Sequence, residues 1–246
     1  MGLSEPPEAL LKSATLFLDF DGTLVELAPS PDAVRVDDDL RDLLTRLQSV
    51  LEGRLVLLSG RAVTDLRGHL HPLSVAVGGS HGLEFAAAGR EVVAGERPAG
   101  LTSVVEELRK LEVQYPGVLI EEKPLSVALH YRAAPSAELV CHAAAERAAL
   151  ETGMTLQFGK MMVELKPPTG DKGSALRRFM AEPEFIGTGP VFIGDDLTDE
   201  HAFEAARDLG GAGVLVGPER QTAARYRLED VGAVRIWLQS ASEVLR

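Results

Sequence analysis

Short apolar runs, each followed by glycine or a polar residue, recur near both ends of the chain. They cover residues 15–18, 54–58, 74–77, 190–193 and 213–216. A continuous apolar run that stops at a turn is typical of a strand buried on both faces, and such strands belong to parallel sheets. The outer parts of the chain therefore predict a buried parallel sheet.

Segments with helical spacing separate these strands. An acidic run, 37–39, precedes a segment with leucine at positions 40, 43, 44, 47 and 51. This pattern predicts a helix whose N-terminus carries the negative charge. Further helices are expected to begin near Asp171 and to cover 198–209. Alternating strands and helices predict an α/β fold built on a doubly wound parallel sheet.

The middle of the chain has a different pattern. Residues 85–99 are rich in alanine and glycine and predict a hairpin and linker. Helices are then predicted over 101–113 and 136–150, and strands over 118–123, 125–132, 154–158 and 161–166. We interpret this as an α+β domain at 99–166, inserted into an α/β core formed by 1–98 and 167–246. The connections at 96–100 and 166–170 are expected to act as a hinge.

The inserted domain is predicted to have one apolar and one polar sheet face. In the strand over 125–132, Leu125, Val127, Leu129 and Tyr131 alternate with Ser126, Ala128, His130 and Arg132. Two helices can cover only one face of four strands. We expect the polar face to look onto the strand ends of the core, although an ordinary solvated face has the same pattern.

Composition narrows the class of protein. The chain has 246 residues, a net charge of −12 and one cysteine, Cys141. An acidic chain does not favour a nucleic-acid partner, and one cysteine excludes an internal disulfide. No apolar run approaches the roughly 20 residues that span a bilayer, and the first residues do not resemble a signal peptide. We expect a cytoplasmic monomer with no membrane partner, whose anionic substrate would need a local positive charge.

Charged and polar residues follow the predicted strands and begin one helix. Asp19 and Asp21 follow the first strand, Ser59 and Arg61 the second, and Asp195 and Asp196 the strand 190–193, with Asp199 one turn later; Lys172 opens a helix. Ligands of open α/β sheets bind at these strand ends. The carboxylates are expected to converge without a lysine beside them, and a Mg²⁺ ion would relieve their repulsion.

This set of residues has the chemistry of phosphoryl transfer. A carboxylate such as Asp19 can attack phosphorus and form an aspartyl-phosphate. Asp21 is placed to protonate the leaving oxygen and then to deprotonate water. Ser59 and Lys172 can hold the phosphate oxygens. Taken singly, each feature has an ordinary alternative: the aspartate pair a turn, Ser59 a helix cap, and Lys172 a surface side chain.

Four motifs resemble the haloacid dehalogenase (HAD) superfamily of phosphatases. They are LFLDFDGTL, LLSGR, DKG and FIGDDLTDE, in this order. The resemblance implies that Asp19 is the nucleophile, Asp21 the acid and base, and Ser59 and Lys172 phosphate ligands. It implies Mg²⁺ bound by Asp19, Asp195 and the backbone carbonyl of Asp21. Asp196 and Asp199 would hold the waters of the metal or orient its ligands.

A narrower resemblance covers nearly the whole chain. GGSHGLE, IEEKPLSVALHYR, GKMMVELKP and GDDLTDE are similar to motifs of the trehalose-6-phosphate phosphatase family. In that family the inserted domain is a cap that closes over the sugar. The resemblance implies a disaccharide site at or near Glu121, Lys123, Ser126, His130, Arg132, Lys160 and Glu164. Arg61 is a further candidate substrate ligand.

Three other functions stay open at this point. A phosphatase of the same superfamily could act on another sugar phosphate, such as sucrose 6-phosphate or mannosyl-phosphoglycerate. A non-catalytic binding or regulatory protein could have kept the fold. A phosphomutase would move the phosphate instead of releasing it.

Overall fold

The computed structural model describes residues 2–28, 33–168 and 170–245. The chain forms two compact units. The core unit comprises Met1–Val93 and Asp171–Arg246, and the inserted unit comprises Ala94–Gly170. The sequence predicts the boundaries at 99 and 166, close to these positions. Thr169, in the second predicted hinge, lies outside the described residues. The hinge motion itself stays a prediction.

The core unit is built on an eight-stranded sheet. Its strands, numbered in chain order, are β1 Ala14–Leu18, β2 Leu55–Leu58, β3 Ala76–Gly79, β4 Glu84–Ala86, β5 Val93–Ala94, β10 Gly189–Gly194, β11 Ala212–Val216 and β12 Tyr226–Leu228. The order in the sheet is β12-β11-β10-β1-β2-β3-β4-β5. The strands from β12 to β3 pair in parallel, and β4 is antiparallel to β3. The predicted α/β sheet is confirmed.

Helices contribute to the apolar packing on both faces of this sheet. They are α1 Asp38–Val50, α2 Val63–Leu70, α5 Lys172–Met180, α6 Glu200–Asp208 and α7 Val231–Val244. Leu16 and Leu18 of β1 belong to an apolar cluster with side chains of α1 and α7. Phe17, between them, belongs to a second cluster with side chains of α5 and α6. Successive strand residues point to opposite faces, so β1 carries apolar side chains on both faces because both are buried. Its polar residue, Thr15, is buried too, and its hydroxyl pairs with that of Thr188 at 2.7 Å.

Three parts of the core unit differ from the sequence prediction. The third strand is Ala76–Gly79, so Gly78 and Gly79 belong to the strand and not to the turn after it. A Cβ atom at Gly78 would press on Leu58 and Phe179, so the glycine allows close packing. The segment predicted as a hairpin and linker supplies β4 and β5 to the core sheet. The sequence prediction did not include β12 and α7.

The inserted unit is a four-stranded antiparallel sheet with two helices. The strands are β6 Leu119–Glu122, β7 Val127–His130, β8 Thr155–Gly159 and β9 Met162–Lys166, in the order β6-β7-β9-β8; the helices are α3 Leu101–Gln114 and α4 Glu138–Thr152. Val127, Leu129 and Val163 pack with apolar residues of both helices, Cys141 among them. The predicted apolar face is confirmed, and Cys141 is buried within it. Within the described residues, no helix has the length and apolar character needed to cross a bilayer.

Candidate active site

Three predicted site residues of the core unit lie at the ends of neighbouring strands. β1 lies between β10 and β2 in the sheet. The backbone N–H of Asp19 donates to the carbonyl of Ile193 at 2.9 Å, which continues the β1–β10 pairing by one residue. Asp195 and Ser59 directly follow β10 and β2. The parallel topology therefore brings Asp19, Ser59 and Asp195 to one edge of the sheet.

Three carboxylates meet at this edge. Asp19, Asp195 and Asp199 each offer an oxygen, and these oxygens lie within 4.8 Å of one another. Burial is the main reason that the pKa of Asp19 lies well above its ordinary value, with Lys172 opposing the shift and Asp199 adding to it. Burial and the charge of Asp199 raise the pKa of Asp195 to about 6. Uncompensated negative charge in a desolvated position explains both directions.

The prediction that no lysine lies beside the carboxylates is wrong. The Nζ atom of Lys172 lies 2.7 Å from Asp19 Oδ1 and 2.5 Å from Asp199 Oδ1. All three side chains are almost fully buried. Lys172 is far from Asp19 in sequence, and it reaches the cluster because α5 begins beside the sheet edge. One lysine neutralises one of the three carboxylates, so the argument for a cation is weakened but still stands.

A capping box places Lys172 at the first position of α5. The Asp171 carboxylate accepts from the backbone N–H of Ser174 at 2.7 Å, and the Ser174 hydroxyl accepts from the N–H of Asp171 at 3.0 Å. This reciprocal pair satisfies two amide groups that a helix N-terminus leaves free. The start of α5, and with it the position of Lys172 in the first turn of the helix, is therefore supported by local hydrogen bonds.

Asp195 packs against the loop that follows β1. Gly22 has φ of +80°, and a Cβ atom there would collide with the Asp195 carboxylate. The hydroxyl of Thr23, which is fully buried, donates to Asp195 Oδ1 at 3.3 Å. Sequence reasoning did not select Thr23. Its position directly after Gly22 in the first motif is the signal that could have indicated it.

Asp199 and Asp196 occupy different positions, although both are predicted to act around the metal. Asp199 belongs to the group of three carboxylates and is fully buried. The side chain of Asp196 instead accepts from the N–H of Leu197 at 2.7 Å and from the hydroxyl of Thr198 at 3.3 Å. Asp196 thus caps the turn that leads into α6, and its backbone N–H donates to Asp199 at 2.9 Å.

Ser59 lies in a tightly bonded turn after β2. Its hydroxyl accepts from the N–H of Arg61 at 3.2 Å. The N–H of His81 donates to the Ser59 carbonyl at 3.0 Å, and the N–H of Ser80 donates to the Arg61 carbonyl at 2.7 Å. A Cβ atom at Gly60 would press on the His81 ring. His81 is thus part of this turn, and the turn holds Ser59 in place.

Arg61 forms ion pairs with two aspartates of the core unit. Its Nε and Nη2 atoms donate to the two carboxylate oxygens of Asp21 at 2.6 and 2.9 Å, and Nη1 donates to Asp65 at 2.7 Å. Such two-point pairing fixes the plane of the Asp21 carboxylate. The predicted roles of Asp21 as acid and base and of Arg61 as a substrate ligand stay predictions.

The polar sheet face of the inserted unit carries a buried ion pair. Ser126 donates to Glu164 Oε1 at 2.6 Å, and Lys123 Nζ lies 3.1 Å from Glu164 Oε2. Glu164 and Ser126 are buried, and 10% of the Lys123 side chain is exposed. Both carboxylate oxygens of Glu164 are therefore held in fixed positions.

A second pair lies on the same face. Ala128 of β7 pairs with Glu121 of β6 on one side and with Glu164 of β9 on the other, so the three residues form one row. His130 Nε2 lies 2.7 Å from Glu121 Oε2. Burial acts to raise the pKa of Glu121, but the His130 hydrogen bond and the charge of Lys123 outweigh it, and the pKa is lowered.

Arg132 and Lys160 meet at the turn between β8 and β9. Both residues are exposed, and Arg132 Nη2 donates to the Lys160 carbonyl at 3.3 Å. All seven predicted sugar ligands therefore lie on this sheet or on the segments that flank its strands. The other five are Glu121, Lys123, Ser126, His130 and Glu164. Their contact with a substrate stays a prediction.

Comparisons with known proteins identify the family of this chain. The trehalose-phosphatase family model matches residues 17–232. The chain belongs to the trehalose-phosphatase family. The trehalose-6-phosphate phosphatase of Escherichia coli is 38% identical, over 99% of this chain and 92% of that protein. Members of the trehalose-phosphatase family are phosphoric monoester hydrolases, and so is this chain.

Solved structures place the family within a wider fold. A trehalose-6-phosphate phosphatase related protein superposes with a TM-score of 0.81 at 28% identity, over 93% of this chain and 97% of that one. A haloacid dehalogenase-like hydrolase from B. subtilis superposes with a TM-score of 0.64 at 16% identity, over 92% and 99%. The second likeness shows the fold alone. The predicted HAD-like fold is confirmed.

Proposed function

We propose that this chain hydrolyses trehalose 6-phosphate to trehalose and phosphate, with Mg²⁺ and an aspartyl-phosphate at Asp19. The observation that carries the proposal is the position of Asp19, a buried carboxylate at a strand end, beside Lys172 and two further aspartates. The substrate is supported by the trehalose-6-phosphate phosphatase of Escherichia coli, which matches nearly the whole chain.

The residues present fit a Mg²⁺ ion. Asp19 and Asp195 offer hard oxygen ligands, which Mg²⁺ prefers, and burial, together with the neighbouring carboxylates, raises the pKa of each. We assign these two carboxylates and the backbone carbonyl of Asp21 to the metal. A bound Mg²⁺ would neutralise charge on the carboxylates and on the substrate phosphate. Asp199, which binds Lys172, and Asp196, which caps its turn, would support the site from outside the coordination shell.

The chemistry requires two displacements at phosphorus. In the first, a carboxylate oxygen of Asp19 bonds to phosphorus, the bond from phosphorus to the sugar oxygen breaks, and Asp21 gives that oxygen a proton. In the second, water attacks phosphorus, Asp21 takes its proton, and the Asp19 carboxylate and inorganic phosphate are released. Lys172 and Ser59 hold the oxygens that stay on phosphorus. This placement of charge supplies most of the catalysis that phosphoryl transfer needs.

Asp21 must change partners for this mechanism. Both of its oxygens accept hydrogen bonds from Arg61, so one of them must be released before it can hold a proton toward the sugar oxygen. A substrate phosphate is a competing anion for Arg61. We therefore assign Arg61 to the substrate phosphate during turnover, which frees Asp21.

The sugar would be recognised by the polar face of the inserted unit. Lys123 and Ser126 hold Glu164, and His130 holds Glu121, so both carboxylates have a fixed direction. Carboxylates of fixed direction suit the hydroxyl groups of a disaccharide because each oxygen accepts a hydrogen bond. Arg132 and Lys160 are assigned to the outer part of the same site.

The test is the Asp19→Asn variant, with Asp42→Asn on the exposed surface of α1 as its control. We expect Asp19→Asn to lose turnover of trehalose 6-phosphate while its circular dichroism spectrum is unchanged, and beryllofluoride to label Asp19 in the wild type. Chelation should also abolish turnover. Phosphate release by Asp19→Asn at the wild-type rate would overturn the mechanism.

A panel of sugar phosphates tests the substrate. Trehalose 6-phosphate should exceed sucrose 6-phosphate and mannosyl-phosphoglycerate by orders of magnitude in kcat/KM. If another sugar phosphate had the highest kcat/KM, the proposed phosphatase activity would stand and the proposed substrate would be overturned. The absence of phosphate release with Mg²⁺ present would favour a regulatory protein. Labelled oxygen from water should enter the released phosphate, which a phosphomutase would not show.

A further inference from the structure

An arginine from a loop distant in sequence forms hydrogen bonds with the segment that carries Asp195. Arg220 follows β11, and its Nη2 atom donates to the backbone carbonyl of Asp196 at 2.8 Å and, in a longer contact of 3.4 Å, to that of Asp195. Its Nη1 atom pairs with Glu200, the first residue of α6. About a fifth of each side chain, 22%, is exposed.

Glu200 is itself anchored to the loop that carries Arg220. Its Oε2 atom accepts from the hydroxyl of Thr222 at 3.0 Å and from the N–H of Ala223 at 2.8 Å. Arg220 and Glu200 therefore form a closed set of hydrogen bonds, which we call the Arg220–Glu200 clamp. The clamp joins the loop after β11 to the segment between β10 and α6.

The clamp holds the outer side of a segment whose inner side faces the carboxylate cluster. On the inner side, the N–H of Asp196 donates to Asp199, and Thr23 donates to Asp195. Asp195 is only partly buried, while Asp19 and Asp199 are buried. The position of the Asp195 carboxylate also depends on where its backbone is held, and the clamp holds that backbone from outside, mainly through the Asp196 carbonyl at 2.8 Å.

We propose that Arg220 is a positioning residue that, together with Glu200, sets the Mg²⁺ affinity of the core by holding the backbone of Asp195 and Asp196. The inference rests on the proposed function, because it takes Asp195 as a Mg²⁺ ligand. Partners that orient metal ligands from outside the coordination shell typically contribute 10–100-fold in metal affinity. Glu200 also cancels the charge of Arg220, which would otherwise repel the cation.

Two physical effects make opposite predictions for Arg220, so the sign of the change decides between them. If Arg220 acts only through its charge, Arg220→Met tightens Mg²⁺ binding, and Arg220→Lys leaves it unchanged. If it acts as a clamp, both variants weaken binding, because the single ammonium group of lysine cannot reproduce the fork that reaches Glu200 and the carbonyls.

The experiment is calorimetric titration of Mg²⁺ into chelator-treated protein without substrate, with Tm measured in parallel. We expect about a tenfold weaker Kd for Arg220→Met and Arg220→Lys. Arg225→Met is the matched control: it removes a positive charge from the same loop, where the exposed Arg225 packs on the Tyr226 ring. Its Kd should stay within about twofold of the wild type, the scatter expected of an exposed substitution.

The measured Kd and Tm values decide between the clamp and its alternatives. Weaker binding in both Arg220 variants, with the control unchanged, supports the clamp. Tighter Mg²⁺ binding by Arg220→Met overturns the clamp in favour of an effect of charge. An unchanged Kd with a lower Tm overturns it in favour of a purely structural role. If Arg220→Met fails to fold, Arg220→Lys decides alone. A wild type that binds no Mg²⁺ overturns the metal site of the proposed function, whereas wild-type binding with unaffected Arg220 variants overturns the clamp only.

Discussion

The central residue of the site is Lys172, because its ammonium group pairs with two of the three clustered carboxylates. Its Nζ atom contacts Asp19 and Asp199 but has no described ion pair with Asp195. The charges of these carboxylates hold the pKa of Lys172 above its ordinary value, although burial opposes the shift. The lysine is therefore charged at any physiological pH. Asp195 also has a raised pKa, mainly because of burial.

A single methyl group at Gly22 should damage this side of the cluster. In Gly22→Ala the new Cβ atom would collide with the Asp195 carboxylate, so the side chain must move. We expect Mg²⁺ affinity, measured by calorimetric titration, to fall by at least about tenfold, as for other disturbances of metal-ligand orientation.

Gly53→Ala provides the control for backbone strain. Gly53 has φ of +86°, similar to the +80° of Gly22, but a Cβ atom there would meet nothing within 4 Å. Both variants pay the cost of a left-handed alanine, about 1–2 kcal/mol of stability. If Gly53→Ala weakened Mg²⁺ binding as much as Gly22→Ala, the contact with Asp195 would not be the cause.

At the scale of elements, the acidic start of α1 shows how a local signal is reinforced by tertiary structure. Asp37 accepts from the N–H of Leu40 at 2.7 Å, as expected of a helix cap. Arg235 of α7 also donates to Asp37 at 2.8 Å. The hydrogen bond from Arg235 is the larger cause, and that from Leu40 the next, of the lowered pKa of Asp37.

The lowered pKa predicts a pH-dependent contribution to stability. A carboxyl group whose pKa is lower in the folded state stabilises it above its ordinary pKa, and this stabilisation is lost as the pH falls through the folded value. Asp37→Asn keeps the cap but removes the charge. We expect it to lower the free energy of unfolding at pH 7 by no more than about 1 kcal/mol, because the pair is exposed.

Urea unfolding at a series of pH values measures this difference. The gap between wild type and Asp37→Asn should close as the pH falls below the ordinary aspartate pKa of 3.8. Asp42→Asn, on the exposed surface of the same helix, should show a smaller gap. A gap that widens on acidification would contradict the assigned sign.

At the scale of the whole molecule, the two units have separate apolar cores. The core unit is held by two clusters on opposite faces of its sheet, and the inserted unit by one cluster between its sheet and helices. All proposed metal ligands belong to the core unit. The seven predicted sugar ligands belong to the inserted unit, whereas Arg61 belongs to the core unit.

This division predicts where Mg²⁺ acts when no substrate is present. Ligand binding stabilises the unit that contains the site, by about 2.7 kcal/mol at a hundredfold excess over Kd. We expect amide hydrogen exchange to slow at 19–23 and 194–200 on addition of Mg²⁺. Exchange in β6 to β9 should not change. Equal slowing in both units would contradict a metal site confined to the core unit.

Much of this protein follows from local patterns. The apolar runs identify most core strands because a strand buried on both faces is apolar along nearly its whole length. Their order with the helices predicts the α/β core, and the change in pattern predicts the insertion. The catalytic candidates are visible because parallel strands bring their carboxyl ends to one edge. The motifs then indicate the family, which the comparisons confirm.

Long-range contacts decided the rest, because no local pattern encodes which side chain meets which partner. The sequence places Lys172 at a helix start, but only packing of α5 beside the sheet brings it to Asp19 and Asp199. The sequence indicates Arg61 and Asp21 as site residues but does not show that their side chains pair. Arg220 has no motif at all, and it matters only because the chain returns after β11 to the backbone of Asp195 and Asp196. Electrostatic energy depends on distance and burial, and the tertiary structure alone sets both.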